Sequence, residues 1–406
     1  GDITSVSILG QRMVVINSIP IAMSLLDKNS LVSSDRPFLA MSGELIGWKN
    51  GLALMPYGPR LRNSRRLAHQ LFGTNATMKQ FLPMVELETH RFLKRISAKP
   101  EELSAHPKVS AVILQISHGY AIQEENDPFV KLAEETMEQF SLSSASGGFL
   151  VNFIPILRHV PEWFPGAGFK RTAREWASTL NEFIERPHNY VKGEMAAGRA
   201  RLSLTSSLLE SGVSAEEEYD IKWLAGTLYG GGADTTVASV YAFFKAMLLY
   251  PEVQAKAQAE IDAVIGDDRL PRFDDRERLQ YVNALVLEVL RWHTVAPMAI
   301  PHRVTEDIVQ SGYSIPKGSL ILANVCPNSI PTMWRLDLVV GGWRVLADAS
   351  VFMSCAMVLA VFDITKYSEN GVVLEPDREH TAGTISHPTP FKCTIKVRSR
   401  KALDLI

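Results

Sequence analysis

The strongest constraint in the sequence is the segment Trp223–Tyr250, which is long, nearly all apolar, and carries Tyr229-Gly230-Gly231-Gly232-Ala233-Asp234-Thr235-Thr236 in its interior. Its apolar residues recur at three- and four-residue spacing, which predicts a helix. Asp234 and Lys245 interrupt the run, and a spanning helix rarely carries an aspartate near its middle, so the segment reads as a buried core helix. Three consecutive glycines should cost roughly 1 kcal/mol each relative to alanine. Two readings follow. In one, the glycines admit a ligand against the backbone and a threonine hydroxyl kinks the helix, leaving Asp234 and Thr235 facing whatever occupies the gap. In the other, this is a glycine-softened core helix with a paired Asp234. A phosphate loop does not fit, because the glycines do not sit between a strand and a helix start.

The same spacing predicts helices over Arg62 to Phe72, Met78 to Ser97, Phe129 to Phe140, Arg171 to Ala197, Val253 to Ile265 and Tyr281 to His293, and extends the long one from Ile221 to Tyr250. Ser5 to Asn17 reads as strand, turn and strand around Gly10-Gln11. At the other end Phe391 to Val397 alternates apolar with polar, and Asn370-Gly371 marks a turn between Phe362 and Leu374. The order predicts a mainly α (α+β) fold, a single domain over 1–406 with a small N-terminal sheet and C-terminal β-hairpins. Lysine plus arginine (42) nearly balances aspartate plus glutamate (44), so the charge calls for no nucleic acid. Cys326, Cys355 and Cys393 are widely spaced, which disfavours a disulfide framework or a cysteine zinc site, although one of them could bind a metal. From Gly1 onward no signal peptide or membrane anchor is expected.

Two further patterns carry chemistry. Glu288 and Arg291 share a helical face as an ion pair, and the surrounding Leu285, Val286, Leu287, Val289 and Leu290 suggest that the pair is buried. Arg60, Arg62, Arg65 and Arg66 follow Met55-Pro56-Tyr57-Gly58-Pro59 and read either as a solvated helix face or as a seat for a bound carboxylate.

Taken in order, Met55-Pro56-Tyr57-Gly58 with its arginines, Gly231 to Thr236, Glu288-x-x-Arg291, Pro301-His302-Arg303 and Ile315-Pro316-Lys317-Gly318 resemble the cytochrome P450 family. The similarity covers residues 1–324 and 346–399 and looks closest to fungal microsomal members that oxidise polyketides, of the sterigmatocystin type, in secondary metabolism. It implies a haem-thiolate fold and a monooxygenase that inserts one oxygen atom from dioxygen into a lipophilic small molecule. The cofactor would be haem b, with electrons from NADPH through an NADPH-cytochrome reductase. Asp234 and Thr235 match the acid-threonine pair that delivers protons, and Arg65 and Arg303 match partners of the haem propionates. Leu61 stands where the family often has tryptophan. Val295, Met298, Ala299, Ile300, Thr384 and Ile385 would line the substrate pocket, and Phe149 to Phe169 resembles the surface that members press into a membrane. The full-length parent would lie at the endoplasmic reticulum membrane, on its cytoplasmic face.

One element departs from the family. Its Phe-x-x-Gly-x-Arg-x-Cys-x-Gly loop supplies the thiolate that binds iron. Here the cysteine should fall near Gly341, within Val339-Val340-Gly341-Gly342-Trp343, and none is present. Cys326 precedes a proline as a superficial echo of that loop, but it lies well before the expected position, whereas Cys355 and Cys393 read as core cysteines. The missing loop opens a second functional reading, a haem-free lipophilic-ligand binder or a non-functional remnant. Leu336 to Val340 can be encoded by TTG GAT TTG GTC GTA, and shifting the frame by two bases gives Gly-Phe-Gly-Arg, the expected loop. The segment from about 325 to 345 is therefore expected to be read out of frame after a splicing or gene-prediction error. Sequencing the transcript between the codons for Asn324 and Leu346 should reveal a frame change; an uninterrupted frame contradicts it.

Overall fold

The computed structural model describes all of the chain except residues 73–74, 106–107, 124–125, 146, 326–342 and 382. The long helices are α1 (Pro59–Phe72), α2 (Leu82–Ala98), α3 (Lys108–His118), α4 (Pro128–Ser144), α5 (Gly168–Ala196), α6 (Ala215–Leu249), α7 (Pro251–Val264), α8 (Gln280–Trp292) and α9 (Trp343–Val361). The strands are β1 (Ile3–Ile8), β2 (Gln11–Ile16), β3 (His302–Arg303), β4 (Ile308–Gln310), β5 (Tyr313–Ile315), β6 (Leu320–Ala323), β7 (Phe362–Lys366), β8 (Ser368–Glu369), β9 (Val372–Val373) and β10 (Cys393–Val397). The mainly α fold with a small N-terminal sheet and C-terminal hairpins is the architecture expected from the sequence.

Helix α6 is the axis of the structure and packs against α3, α5 and α9. It begins earlier than its apolar pattern because Ser214 and Glu217 form a capping box: the Ser214 hydroxyl accepts from the Glu217 amide at 3.2 Å, and the Glu217 carboxylate accepts from the Ser214 amide at 2.9 Å. It ends at Leu249 because Tyr250 precedes Pro251 and takes a non-helical conformation. The kink of the first reading is not there: residues 230–236 are continuous α-helix, and the hydroxyls of Thr235 and Thr236 donate to the carbonyls of Gly231 and Gly232 at 2.7 and 2.8 Å. Those hydroxyls bond back along an intact helix instead of opening it.

The three glycines have different reasons. A Cβ at Gly230 would meet the Met137 sulfur at 2.8 Å, and one at Gly232 would meet Ile113 of α3 at 3.2 Å, so both admit close neighbours. A Cβ at Gly231 would meet nothing within 4 Å. One flank of the central helix is therefore open at that residue.

The sheet runs β1-β2-β6-β3, with β2 and β6 parallel and the other pairs antiparallel. Leu9 and Gly10 turn the first hairpin with positive φ, and Asn370 and Gly371 turn β8 into β9 in the same way, as the Asn-Gly pair predicts. Strand β10 pairs with β7, and between β9 and β10 the chain from Leu374 to Lys392 returns to α6. Lys245, fully buried, holds it there: its ammonium donates to the Asp377 carboxylate at 2.8 Å, the Thr389 hydroxyl at 2.9 Å and the Glu379 carbonyl at 3.1 Å.

Helix propensity and free space act together at Gly231, so Gly231→Ala should stabilise the chain by about 1 kcal/mol. Gly232→Ala should give no such gain, because Ile113 would have to move. Urea unfolding of both variants checks the contrast.

Candidate functional site

The open flank at Gly231 lies next to the acid-threonine pair. Thr235 is tied to the Gly231 carbonyl, so its hydroxyl is held beside the open flank. The Asp234 carboxylate bonds the His387 imidazole, 3.0 Å from Nε2 to Oδ1; the two side chains are 25% and 33% exposed. His387 lies in the C-terminal segment that Lys245 anchors. Burial lowers the affinity of this imidazole for a proton, but the hydrogen bond and charge of Asp234 outweigh burial and leave its pKa above the ordinary value. Across from Asp234 stands Glu134 of α4. Desolvation of its carboxyl end, followed by the Asp234 charge, raises its pKa, although the residue as a whole is exposed.

The pocket residues implied by resemblance frame the same region in part. Ala299, Ile300 and Ile385 are buried, and Val295 and Met298 are half-buried. The Val295 carbonyl accepts from the Ser386 amide at 2.7 Å, and the hydroxyls of Thr384 and Ser144 are 3.0 Å apart. The segments around residues 295 and 385 are thus joined to each other and to α4.

A second feature brings Arg36 and Arg65 together near the Asp35–Arg303 ion pair. Arg65 is half-buried in α1. Arg303 is held by an acid: its Nε donates to Asp35 at 2.8 Å, its Nη2 bonds the same carboxylate, and its amide donates to the Asp35 carbonyl at 2.7 Å. The sequence reading passed over the residue next to that acid. Arg36 is 2% exposed; its Nη1 donates to the carbonyls of Ile300 and Pro301 at 2.9 and 3.1 Å, while Nε and Nη2 have no partner among the described residues. Burial and then the Arg65 charge lower its pKa to about 9, against the pull of Asp35. Unspent guanidinium donors, buried near a second cation, call for an anion. The neighbouring His302 is buried, and its Nδ1 donates to the Ser33 carbonyl at 2.8 Å. Nothing in Ser33-Ser34-Asp35-Arg36-Pro37 marks Arg36 for binding.

Glu288 and Arg291 correct the sequence reading. They form a two-pronged ion pair, Nε to Oε2 at 2.6 Å and Nη2 to Oε1 at 2.5 Å, but the Glu288 side chain is 58% exposed. Among the described residues the pair is on the surface, since Leu285, Val286 and Val289 bury a different face of α8. Arg60 pairs with Asp220 at 2.5 Å, and Arg62 and Arg66 are exposed, so only part of the arginine run points to a ligand. Of the cysteines, Cys355 is in the apolar core and burial raises the thiol pKa of Cys393 to about 11, which keeps it protonated at neutral pH. Cys326 and Gly341 lie outside the described residues.

A family model described as Cytochrome P450 matches residues 1–334, ending inside the segment that departs from the family pattern. A curated relative from Postia placenta, cytochrome P450 monooxygenase 208, is 45% identical over 437 aligned positions, covering 100% of this chain and 85% of that protein. Cytochrome P450 monooxygenase claR of Ampulloclitocybe clavipes is 43% identical, with coverage of 100% and 82%. The first alignment is longer than the 406-residue chain, so that relative carries residues this chain lacks within the aligned range. Among solved structures, a zebrafish cytochrome P450 with progesterone superposes with a TM-score of 0.77 at 20% identity, covering 97% of this chain and 96% of that one. The same protein with abiraterone gives 0.75 at 20% identity, covering 98% and 97%. These two show the fold.

If the Arg36 donors seat a haem carboxylate, Arg36→Met should speed haem loss by about tenfold or more, the loss of a hydrogen bond to a charged group. Transfer of haem to an acceptor protein measures this, with circular dichroism checking the fold.

Proposed function

This chain belongs to the cytochrome P450 family of haem-dependent monooxygenases, and we propose that its open helix flank at Gly231 is the oxygen-side face of the haem site. The family's cofactor is haem b, which supplies the redox chemistry when bound. Two features of this chain fit that group. Gly231 leaves the helix backbone bare on one side, since a Cβ there would meet nothing within 4 Å, and the buried Arg36 beside Arg65 offers a cationic seat for carboxylates. Arg303 takes a supporting role by holding Asp35, which also accepts from the Tyr57 amide at 2.9 Å. No cysteine stands near Gly341, where the family's ligand falls, and Cys326 lies well before that position in the sequence.

Within the site the protein positions and protonates. Thr235 holds a hydroxyl at the open flank, and Asp234 holds a carboxylate one residue away that can pass protons toward it. Val295, Ile300 and Ile385 offer an apolar wall suited to a lipophilic substrate, here a secondary metabolite of the polyketide kind. Electrons come from a redox partner, here an NADPH-cytochrome reductase, and the chain acts as one domain. Among the described residues no helix is long and apolar enough to cross a membrane. The exposed Ile156 and Trp163, at 70% and 80%, suit contact with the cytoplasmic face of the endoplasmic reticulum membrane.

The observation that carries this reading is the coincidence of the open Gly231 flank with Thr235 and Asp234. Haem-loaded chain supplied with reductase and NADPH should insert one labelled oxygen atom from dioxygen into a lipophilic substrate. Asp234→Asn and Thr235→Ala should keep NADPH consumption while lowering product per NADPH by about tenfold or more. Unchanged product yield in both variants would count against the assignment.

A further inference from the structure

The acid of the acid-threonine pair is not alone. Asp234 lies in the interior of α6, and its carboxylate is bonded by an imidazole from the far end of the chain, His387 Nε2, at 3.0 Å. Two independent features fix that imidazole. The Thr381 hydroxyl accepts from the His387 amide at 2.9 Å, while the His387 carbonyl accepts from the Thr381 amide at 2.8 Å, closing a small loop. The same segment is tied to α6 by Lys245 through Asp377, Glu379 and Thr389. The imidazole is one-third exposed, so one part of it meets water while Nε2 meets the acid.

We propose that His387 is a positioning and proton-supplying residue for Asp234, linking solvent to the oxygen-side face of the site. This rests on the assignment of Asp234 and Thr235 above. The imidazolium gives the proton on Nε2 to Asp234 Oδ1, leaving a neutral imidazole and a carboxylic acid. The acid hands that proton toward the open flank, and the imidazole regains one from water. No electrons move in these steps.

The surrounding charges set when the relay is loaded. Glu134 on α4 faces Asp234, and Lys131 lies near Glu134. His293, at the end of α8, feels His387, His380 and Lys245, and burial keeps it neutral with a pKa of about 4. His380 stands against His293, with 3.1 Å between their Nδ1 atoms, and burial and Lys245 lower its pKa while Asp377 opposes them. Of these three histidines only His387 is shifted toward the charged form, because only it bonds a carboxylate. The relay should be filled below the His387 midpoint, which lies above the ordinary histidine value, and empty as pH rises through it.

Two measurements test this. Imidazole NMR on the purified chain should show His387 titrating above the ordinary histidine value, and Asp234→Asn should lower that midpoint, since only the effect of burial remains. In haem-loaded enzyme with reductase, product per NADPH should fall as pH rises through that midpoint. His387→Gln should lower the ratio by about tenfold or more and remove the pH dependence. If Asp234→Asn lowers the ratio but His387→Gln leaves both ratio and pH profile unchanged, the histidine relay is overturned and the acid-threonine assignment stands. If neither Asp234→Asn nor Thr235→Ala changes the ratio, that assignment fails and takes the relay with it. A His387 midpoint insensitive to Asp234→Asn also overturns the relay.

Discussion

Two opposite charges inside one apolar helix govern how the rest of the structure is arranged. Asp234 and Lys245 are eleven residues apart, about three turns, and so lie on nearly the same face of α6. Lys245, fully buried, could not remain there unpaired, since a buried charge without a partner is heavily penalised, and the partly exposed Asp234 is paired as well. Both are answered by one stretch of chain, residues 377–389, through His387 and through Asp377, Glu379 and Thr389. The helix thereby sets the position of the C-terminal segment, which carries Thr384 and Ile385 to the pocket wall.

The same helix separates packing from access residue by residue. Gly230 and Gly232 let Met137 and Ile113 come close, whereas Gly231 leaves a space open. Thr235, bonded to the Gly231 carbonyl, puts a hydroxyl at that space without disturbing the helix. At the sheet the logic is inverted, because Arg36 is buried with donors unspent among the described residues while the neighbouring Asp35 is engaged by Arg303. A buried arginine with donors unspent among the described residues and an open helix flank are the two features that a flat, carboxylate-bearing cofactor would satisfy. These features favour the enzyme reading over a haem-free binder, as do relatives that are themselves named monooxygenases.

Much of this was legible in sequence where the signal was periodic or local. The long helix, its two charges, the glycine run and the Asn370-Gly371 turn all follow from spacing and backbone chemistry. The misreadings have physical causes. Glu288 seemed enclosed because its neighbours in sequence are apolar, but at about 100° per residue Leu285, Val286 and Val289 turn to one side and Arg291 nearly opposite. Helix α3 was passed over despite its apolar run from Ala111 to Leu114. His387 and Arg36 gave no signal because their partners are 153 and 264 residues away. Only the fold brings such pairs together.

The central claim is that this chain, despite its altered segment before α9, retains a haem site on α6. An absorbance titration of the purified chain with haem tests it most directly. The account predicts saturation at one haem per chain. A chain that takes up no haem would contradict it.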